Sequence, residues 1–187
     1  MRYILASKSP RRKELIGGII KDFEIITKEV DESLPSDIHP REGVEILAVR
    51  KGAAVAENLS DSCVVISSDT LVEIGGVALG KPTDKADAFK MLRLLSGKAH
   101  NVHTGVAVHY KGKVHSGVAT TAVYFRDMTD EEITAYIDSG DPMDKAGSYG
   151  IQSGGGKFVK KIEGDYDTVV GLSVSLTKRL IDEAIND

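Results

Sequence analysis

A cationic turn near the amino terminus is the first place where residue types and spacing suggest chemistry. The stretch Leu5–Arg12 has the pattern of a short apolar strand, a polar turn and the start of a helix. Ser9 suits the N-cap, because its hydroxyl can accept from the first-turn amides, and Pro10 suits the first helical position. The cations at positions 11 to 13 then lie at the positive end of the helix dipole, where acidic residues are normally preferred. A bound polyphosphate would explain this pattern, and so would a solvated basic first turn.

Two further residues occupy positions where a predicted element would present them to a ligand. Lys51 falls on the apolar stripe of a helix predicted from Pro40 to about Asn58. There it either passes its charge beyond the apolar edge to solvent or points that charge into a site. Asp69 follows the apolar run 64–67, which we expect to form a short buried strand. The carboxyl end of such a strand is where α/β sheets bind ligands, so Asp69 is a candidate site residue.

The dispersed charges together indicate one kind of reaction. The cations are Arg11, Arg12, Lys51, Lys81 and Lys145, and the carboxylates include Glu32 and Asp69. Cations hold phosphates, while carboxylates hold Mg²⁺ or Mn²⁺ and can activate water. This combination suggests metal-assisted hydrolysis of a nucleotide polyphosphate. Glu32 also has a simpler interpretation, since acidic residues just past a strand are usually solvated turn residues.

Composition limits the classes of protein that fit. A chain of 187 residues with 41% hydrophobic residues suits one globular domain, residues 1–187. The net charge of −4 argues against a general nucleic-acid binder. The single cysteine, Cys63, fits a reducing compartment, and no apolar run reaches membrane-spanning length. We therefore expect a cytoplasmic protein.

Local patterns predict alternating strands and helices, and hence an α/β or α+β fold in one compact unit. Two-residue turns at Gly75-Gly76 and around Gly112 predict hairpins. Thr129 begins a capping box, and Ser173 is expected to cap the last helix. Gly17-Gly18 should end the first helix with a left-handed cap. The three consecutive glycines at 154–156 should make the loop around them unusually loose. No Walker A motif, dinucleotide fingerprint, nucleophile elbow or paired-cysteine zinc motif is present.

Several of these stretches, in this order, closely resemble the Maf family of nucleoside triphosphate pyrophosphatases. The stretches are Leu5–Arg12, Ser68-Asp69-Thr70, Gly80-Lys81-Pro82 and Asp144–Gln152. The resemblance covers essentially the whole chain. It implies an elongated α/β fold with a mixed sheet and two lobes around a central cleft, commonly dimeric. Ser68 and Ser173 stand where alanine and proline are usual in the family.

The resemblance also implies roles for individual residues. Asp69 would accept the proton of the attacking water, with Glu32 as its partner for a divalent cation, Mg²⁺ or Mn²⁺. Ser7, Ser9, Arg11, Arg12, Lys51 and Lys81 would line the triphosphate path, with Lys51 and Lys81 counted as catalytic. Lys145 would support the leaving group or pair with Asp144. The products would be a nucleoside monophosphate and pyrophosphate.

The family has one branch for dTTP and UTP and another for 7-methyl-GTP. Arg11, Thr70 and Gln152 match the positions that determine specificity in the pyrimidine branch. A glutamine amide offers a donor and an acceptor to uracil or thymine, whereas a charged side chain would better suit methylated guanine. We therefore expect dTTP and UTP as substrates, with modified pyrimidine nucleotides as further candidates. We also expect a homodimer without stable nucleic-acid binding. The alternatives are a 7-methyl-GTP pyrophosphatase and a non-enzymatic nucleotide-binding or nucleic-acid-binding regulator of cell division.

Overall fold

A seven-stranded mixed sheet forms the framework of the computed structural model, which describes residues 1–187. The strands are β1 (Arg2–Leu5), β2 (Glu24–Ile25), β3 (Cys63–Ile74), β4 (Val77–Leu79), β5 (Ala99–Tyr110), β6 (Lys113–Phe125) and β7 (Val159–Glu163). Their order is β2-β1-β3-β5-β6-β7, with β4 paired to β3. β1 runs parallel to both β2 and β3, whereas β4 and β7 run antiparallel to their partners. The predicted α/β class is confirmed.

Six α-helices accompany the sheet. They are α1 (Pro10–Gly17), α2 (Pro40–Ala56), α3 (Lys85–Leu95), α4 (Asp130–Asp138), α5 (Tyr166–Val170) and α6 (Val174–Asn186). Short 3-10 helices cover Asp141–Asp144, Ala146–Ser148 and Gly154–Phe158. The predicted caps are confirmed, since Thr129 forms a capping box with Glu132 and the Ser173 hydroxyl accepts from the Leu176 amide. None of the helices combines the length and apolar character needed to cross a lipid bilayer.

Both predicted hairpins form at two-residue turns with positive φ angles. Gly75 and Gly76 have φ of 59° and 82°, and they join β3 to β4. Lys111 and Gly112 have φ of 49° and 74°, and they join β5 to β6. Two positive φ angles are typical of a type I′ turn, whose twist matches that of the paired strands. Each turn therefore has the backbone conformation that a tight hairpin requires.

Two local expectations are wrong, and a third is confirmed only in part. Asp69 does not end a short strand, because β3 continues for 12 residues, from Cys63 to Ile74. Gly18 caps α1 with a right-handed φ of −75°, and its amide donates to the carbonyls of Ile16 and Leu15. The strand predicted over 23–27 is reduced to β2. Pairing within the sheet, which local pattern does not specify, decides where the two strands end.

The chain divides into two compact units, and each of the three long strands contributes residues to both. The first unit comprises residues 1–70, 104–119 and 171–187, and the second comprises 71–103 and 120–170. The first unit has apolar clusters around Leu5, Val106 and Leu180 and around Val65. The second has one cluster around Leu92. The prediction of a single domain over residues 1–187 stays a prediction.

Candidate functional site

The first turn of α1 presents the predicted capping geometry. The Ser9 hydroxyl accepts from the Arg12 amide at 3.4 Å, and the buried Ser7 hydroxyl accepts from the Ser9 amide at 3.2 Å. Pro10 occupies the first helical position, and no acidic residue lies in the first turn. The turn therefore combines a positive helix end with basic side chains, which is the chemistry of an anion site.

The guanidinium of Arg12 is held by two other parts of the first unit. Its Nε donates to the Gly171 carbonyl at 2.8 Å, and its Nη2 donates to the Thr70 hydroxyl at 3.1 Å. The Thr70 hydroxyl in turn lies 3.0 Å from that of Thr104. Burial lowers the pKa of Arg12, an effect that Asp69 opposes through its charge. Arg12 remains a cation at neutral pH, with its orientation determined by these contacts.

Lys51 brings together the two predicted acidic residues. Its ammonium lies 2.5 Å from Asp69 Oδ1 and 3.0 Å from Glu32 Oε1. Asp69 is only 7% exposed, whereas the side chain of Glu32 is 61% exposed. Lys51 therefore points to these two carboxylates, and its role towards a ligand stays a prediction. Glu32 is a largely exposed residue that forms an ion pair with Lys51.

A close approach of α2 to β3 explains why Lys51 reaches Asp69. The buried Ser67 hydroxyl donates to the Ala48 carbonyl at 2.7 Å. A Cβ at Gly52 would lie only 2.5 Å from that hydroxyl and from the His109 ring. Gly52 and Ser67 thus let the helix and the strand meet beside the two charged residues.

A divalent cation fits the carboxylate pair by its chemistry. Glu32 and Asp69 lie close to each other, since both contact the Lys51 ammonium, and their oxygens are of the kind that Mg²⁺ and Mn²⁺ prefer as ligands. No group of three or more His, Cys, Asp or Glu residues in the protein is arranged to hold a metal. A cation held by this pair would therefore depend on oxygens from water and from a phosphate ligand.

The remaining predicted residues lie in the second unit. The Lys145 ammonium donates to Asp144 at 2.8 Å and to Asp141 Oδ1 at 3.1 Å, so its predicted pairing with Asp144 is present. Lys81 and Gln152 are exposed. The Gly147 amide donates to the Gly80 carbonyl at 3.0 Å, which joins the loop of Lys81 to that of Lys145.

The glycine run 154–156 is packed closely, contrary to the expectation that it loosens its loop. It lies in a 3-10 helix. Added Cβ atoms would lie 2.8 Å from the Tyr136 ring at Gly154, 2.8 Å from the Gly150 carbonyl oxygen at Gly155, and 2.5 Å from the Ile151 carbonyl oxygen at Gly156. These glycines are therefore required by close contacts rather than by flexibility.

Comparison with known proteins identifies the family of this chain. Residues 2–184 match the family described as Maf-like protein. The chain belongs to the Maf family. A curated relative from Bacillus anthracis, named dTTP/UTP pyrophosphatase, is 51% identical over 174 residues, or 93% of this chain and 91% of that protein. A relative of the same name from Thermococcus kodakarensis is 46% identical over 177 residues, or 95% of this chain and 94% of that protein.

A solved structure supports the fold independently of sequence. The Staphylococcus aureus Ham1 protein aligns with a TM-score of 0.52 and 15% sequence identity, over 100% of this chain and 95% of that chain. At such low identity the likeness concerns the fold alone. It shows that the mixed sheet of this Maf protein also occurs in Ham1.

Residue-by-residue reasoning missed two contributors to the Arg12 site. The Gly171 carbonyl accepts from Arg12 and also from the Ser68 hydroxyl, at 3.0 Å. Its φ of 130° lies in a region that favours glycine, so the direction of this carbonyl depends on residue type. Thr104 contacts Thr70 from β5. A glycine two positions before the predicted N-cap Ser173 was the available signal for Gly171, whereas Thr104 resembles any other alternating strand residue.

Proposed function

We propose that this Maf protein hydrolyses dTTP and UTP to the nucleoside monophosphate and pyrophosphate. Relatives that are 46–51% identical over at least 93% of the chain carry the name dTTP/UTP pyrophosphatase. The observation that carries the chemistry is the convergence of Asp69 and Glu32 on Lys51. An anion-binding helix end together with two acidic residues suits hydrolysis of a phosphoric anhydride, because anion binding alone has no use for carboxylates.

In the proposed reaction, Asp69 accepts a proton from the water that attacks the α-phosphorus. The bond between that phosphorus and the oxygen bridging to the β-phosphate breaks, and pyrophosphate leaves with the electron pair. Arg12 and the first-turn amides of α1 bind phosphate oxygens, with Ser7, Ser9 and Arg11 in supporting roles. Lys51 orients Asp69 and neutralises part of the negative charge of the triphosphate. Lys81 and Lys145 are proposed to bind the triphosphate.

We also propose that Glu32 and Asp69 hold Mg²⁺ or Mn²⁺ when nucleotide binds. When bound, the cation neutralises phosphate charge and lowers the pKa of a water ligand. Its support is the proximity of two carboxylates beside Lys51, with the remaining ligand positions left to water and phosphate oxygens. Electron paramagnetic resonance of Mn²⁺ with the wild type and Glu32→Gln would test the assignment without relying on turnover. Equal Mn²⁺ affinity in both proteins would contradict it.

For the base, we propose that Gln152, Thr70 and Arg11 select uracil and thymine. A glutamine amide can donate to a carbonyl oxygen and accept from the ring N–H of either base. The exposed position of Gln152 is compatible with a ligand contact. Gln152→Glu should reduce the preference for pyrimidines if this position contacts the base.

Product analysis of purified protein with a divalent cation tests the function. The panel comprises dTTP, UTP, CTP, dATP, GTP and 7-methyl-GTP. We expect monophosphate and pyrophosphate from dTTP and UTP, and no turnover after addition of EDTA. Turnover of 7-methyl-GTP alone would contradict the proposed role of Gln152. Binding without any turnover would favour the regulator of cell division.

The homodimer, the cytoplasmic location and the lack of stable nucleic-acid binding stay predictions. A reaction on free nucleotides suits a protein located where nucleotide pools are found. Light scattering coupled to size-exclusion chromatography would test the dimer. Titration with nucleic acid at physiological salt would test the expected lack of stable nucleic-acid binding.

A further inference from the structure

Asp141 connects several side chains in the second unit. Its Oδ2 accepts from the Tyr136 hydroxyl at 2.5 Å and from the Ser153 hydroxyl at 2.7 Å. The Lys145 ammonium donates to its main-chain carbonyl at 2.6 Å and to its Oδ1 at 3.1 Å. Burial raises the pKa of Asp141, but the hydrogen bonds from Tyr136, Ser153 and Lys145 outweigh this, so its pKa lies below the ordinary value. Asp141 is thus an ionised acceptor for three side chains.

These contacts hold both ends of the turn that carries Gln152. The Gly150 amide donates to the Tyr136 hydroxyl at 3.1 Å, and the Ser153 amide donates to the Gly150 carbonyl at 3.2 Å. Residues 150 and 153, on either side of Ile151 and Gln152, are therefore both linked to Asp141. Ser153 donates directly to Asp141, whereas Gly150 is linked to it through the Tyr136 hydroxyl.

Close packing adds to the hydrogen bonds. A Cβ on Gly150 would lie 2.7 Å and 2.8 Å from the Lys145 side chain, and one on Gly154 would lie 2.8 Å from the Tyr136 ring. The turn is thus packed against Lys145 and Tyr136, two of the three side chains that contact Asp141. The position of its backbone depends on this group of residues.

We propose that Asp141 is a positioning residue that sets the base specificity of the enzyme by holding the turn of Gln152 and the ammonium of Lys145. This inference rests on the proposed function. An exposed glutamine on an unrestrained turn would sample many positions, and its amide can present donor and acceptor in either order. Discrimination between uracil and cytosine therefore requires the backbone at residue 152 to be held in one place.

The test compares kcat/KM for UTP and CTP in four variants. Asp141→Asn removes the charge and one acceptor oxygen, Tyr136→Phe removes the link to Gly150, and Ser153→Ala removes the link at the other end. Asp144→Asn is the matched control, because Asp144 also accepts from the Lys145 ammonium, at 2.8 Å, from the position next to it in the chain. We expect the UTP-to-CTP ratio to fall about tenfold in Asp141→Asn, the effect of losing a charged hydrogen bond. It should fall about threefold in Tyr136→Phe and Ser153→Ala, and stay within about twofold in Asp144→Asn.

A second measurement separates positioning from general stability. Hydrogen exchange of the Gly150 and Ser153 amides should be faster in Asp141→Asn and unchanged in Asp144→Asn. If Asp141→Asn fails to fold, the Tyr136→Phe and Ser153→Ala ratios decide the question. An unchanged ratio in a folded Asp141→Asn protein, or an equal loss for UTP and CTP, would overturn the inference. A wild-type protein that does not hydrolyse UTP would instead contradict the proposed function.

Discussion

Replacing Asp69 by asparagine should remove most of the turnover while leaving the fold intact. The amide has the same shape as the carboxylate but is a poor base. Loss of a general base lowers the rate by about 10²–10⁴-fold, or about 3–5 kcal/mol of activation free energy. The expected cost in stability is much smaller. Lys51 keeps Glu32 as a partner at 3.0 Å, and the asparagine oxygen can still accept its hydrogen bond.

We expect Asp69→Asn to reduce the free energy of unfolding by about 1 kcal/mol, the typical value for one weakened hydrogen bond. A domain stabilised by about 5–15 kcal/mol would stay almost fully folded after this loss. Unfolding therefore cannot account for a hundredfold loss of rate. The assay is single-turnover release of pyrophosphate from UTP, with thermal unfolding measured on the same samples.

Glu73 offers a matched control, because it is a second carboxylate on β3 with the same 7% exposure. It accepts from the Gly76 amide at 2.6 Å and from the Asn101 side chain at 2.9 Å, and it has no part in the candidate site. Glu73→Gln should cost about 1–3 kcal/mol of stability, since the new amide opposes one of these donors. Its rate per folded molecule should stay within about twofold. A folded Asp69→Asn protein with a rate near that of the wild type would refute the role of Asp69 as base.

Three further predictions concern stability. Gly105→Ala should destabilise the fold by about 3 kcal/mol, because the Cβ would lie 2.6 Å from a main-chain carbon of α2. Gly17→Ala has open space around it and should stabilise α1 by about 0.5 kcal/mol. Urea unfolding of the two variants and the wild type measures both changes. Burial lowers the pKa of His100 to about 4, so the unfolded chain binds the proton first and wild-type stability should fall by about 3 kcal/mol between pH 6.5 and 4. His100→Gln should not show this fall in stability, and an equal dependence of stability on pH in both proteins would contradict the prediction. Hydrogen bonds from Arg126 and the Thr129 amide lower the pKa of Glu132 to about 2. The ionised Glu132 therefore contributes to the stability of the fold above pH 4.5, and this contribution is lost as the pH falls toward 2. Thermal unfolding of Glu132→Gln should therefore approach that of the wild type in strong acid.

Local sequence was sufficient where the deciding interaction spans a few residues. Ser9 and Thr129 cap helices through residues three positions away, and Gly75-Gly76 forms its hairpin turn through its own φ angles. The wrong expectations concern interactions that reach beyond a few residues. Local pattern places the end of the strand before Asp69, whereas β3 continues to Ile74 between β1 and β5, which lie far from it in the sequence. The close packing of the glycine run depends on Tyr136 and Gly150, which no local pattern shows.

The sequence by itself determined which residues could do the chemistry, the helix starts, the tight turns and the family. Tertiary structure alone decided how those residues meet. Arg12 is oriented by Gly171, 159 positions away, and Lys51 reaches Asp69 because Gly52 and the Ser67 hydroxyl let α2 approach β3. Residue type sets what a side chain can donate, accept or hold. Which partner it meets depends on chain folding that brings distant segments within a few ångströms.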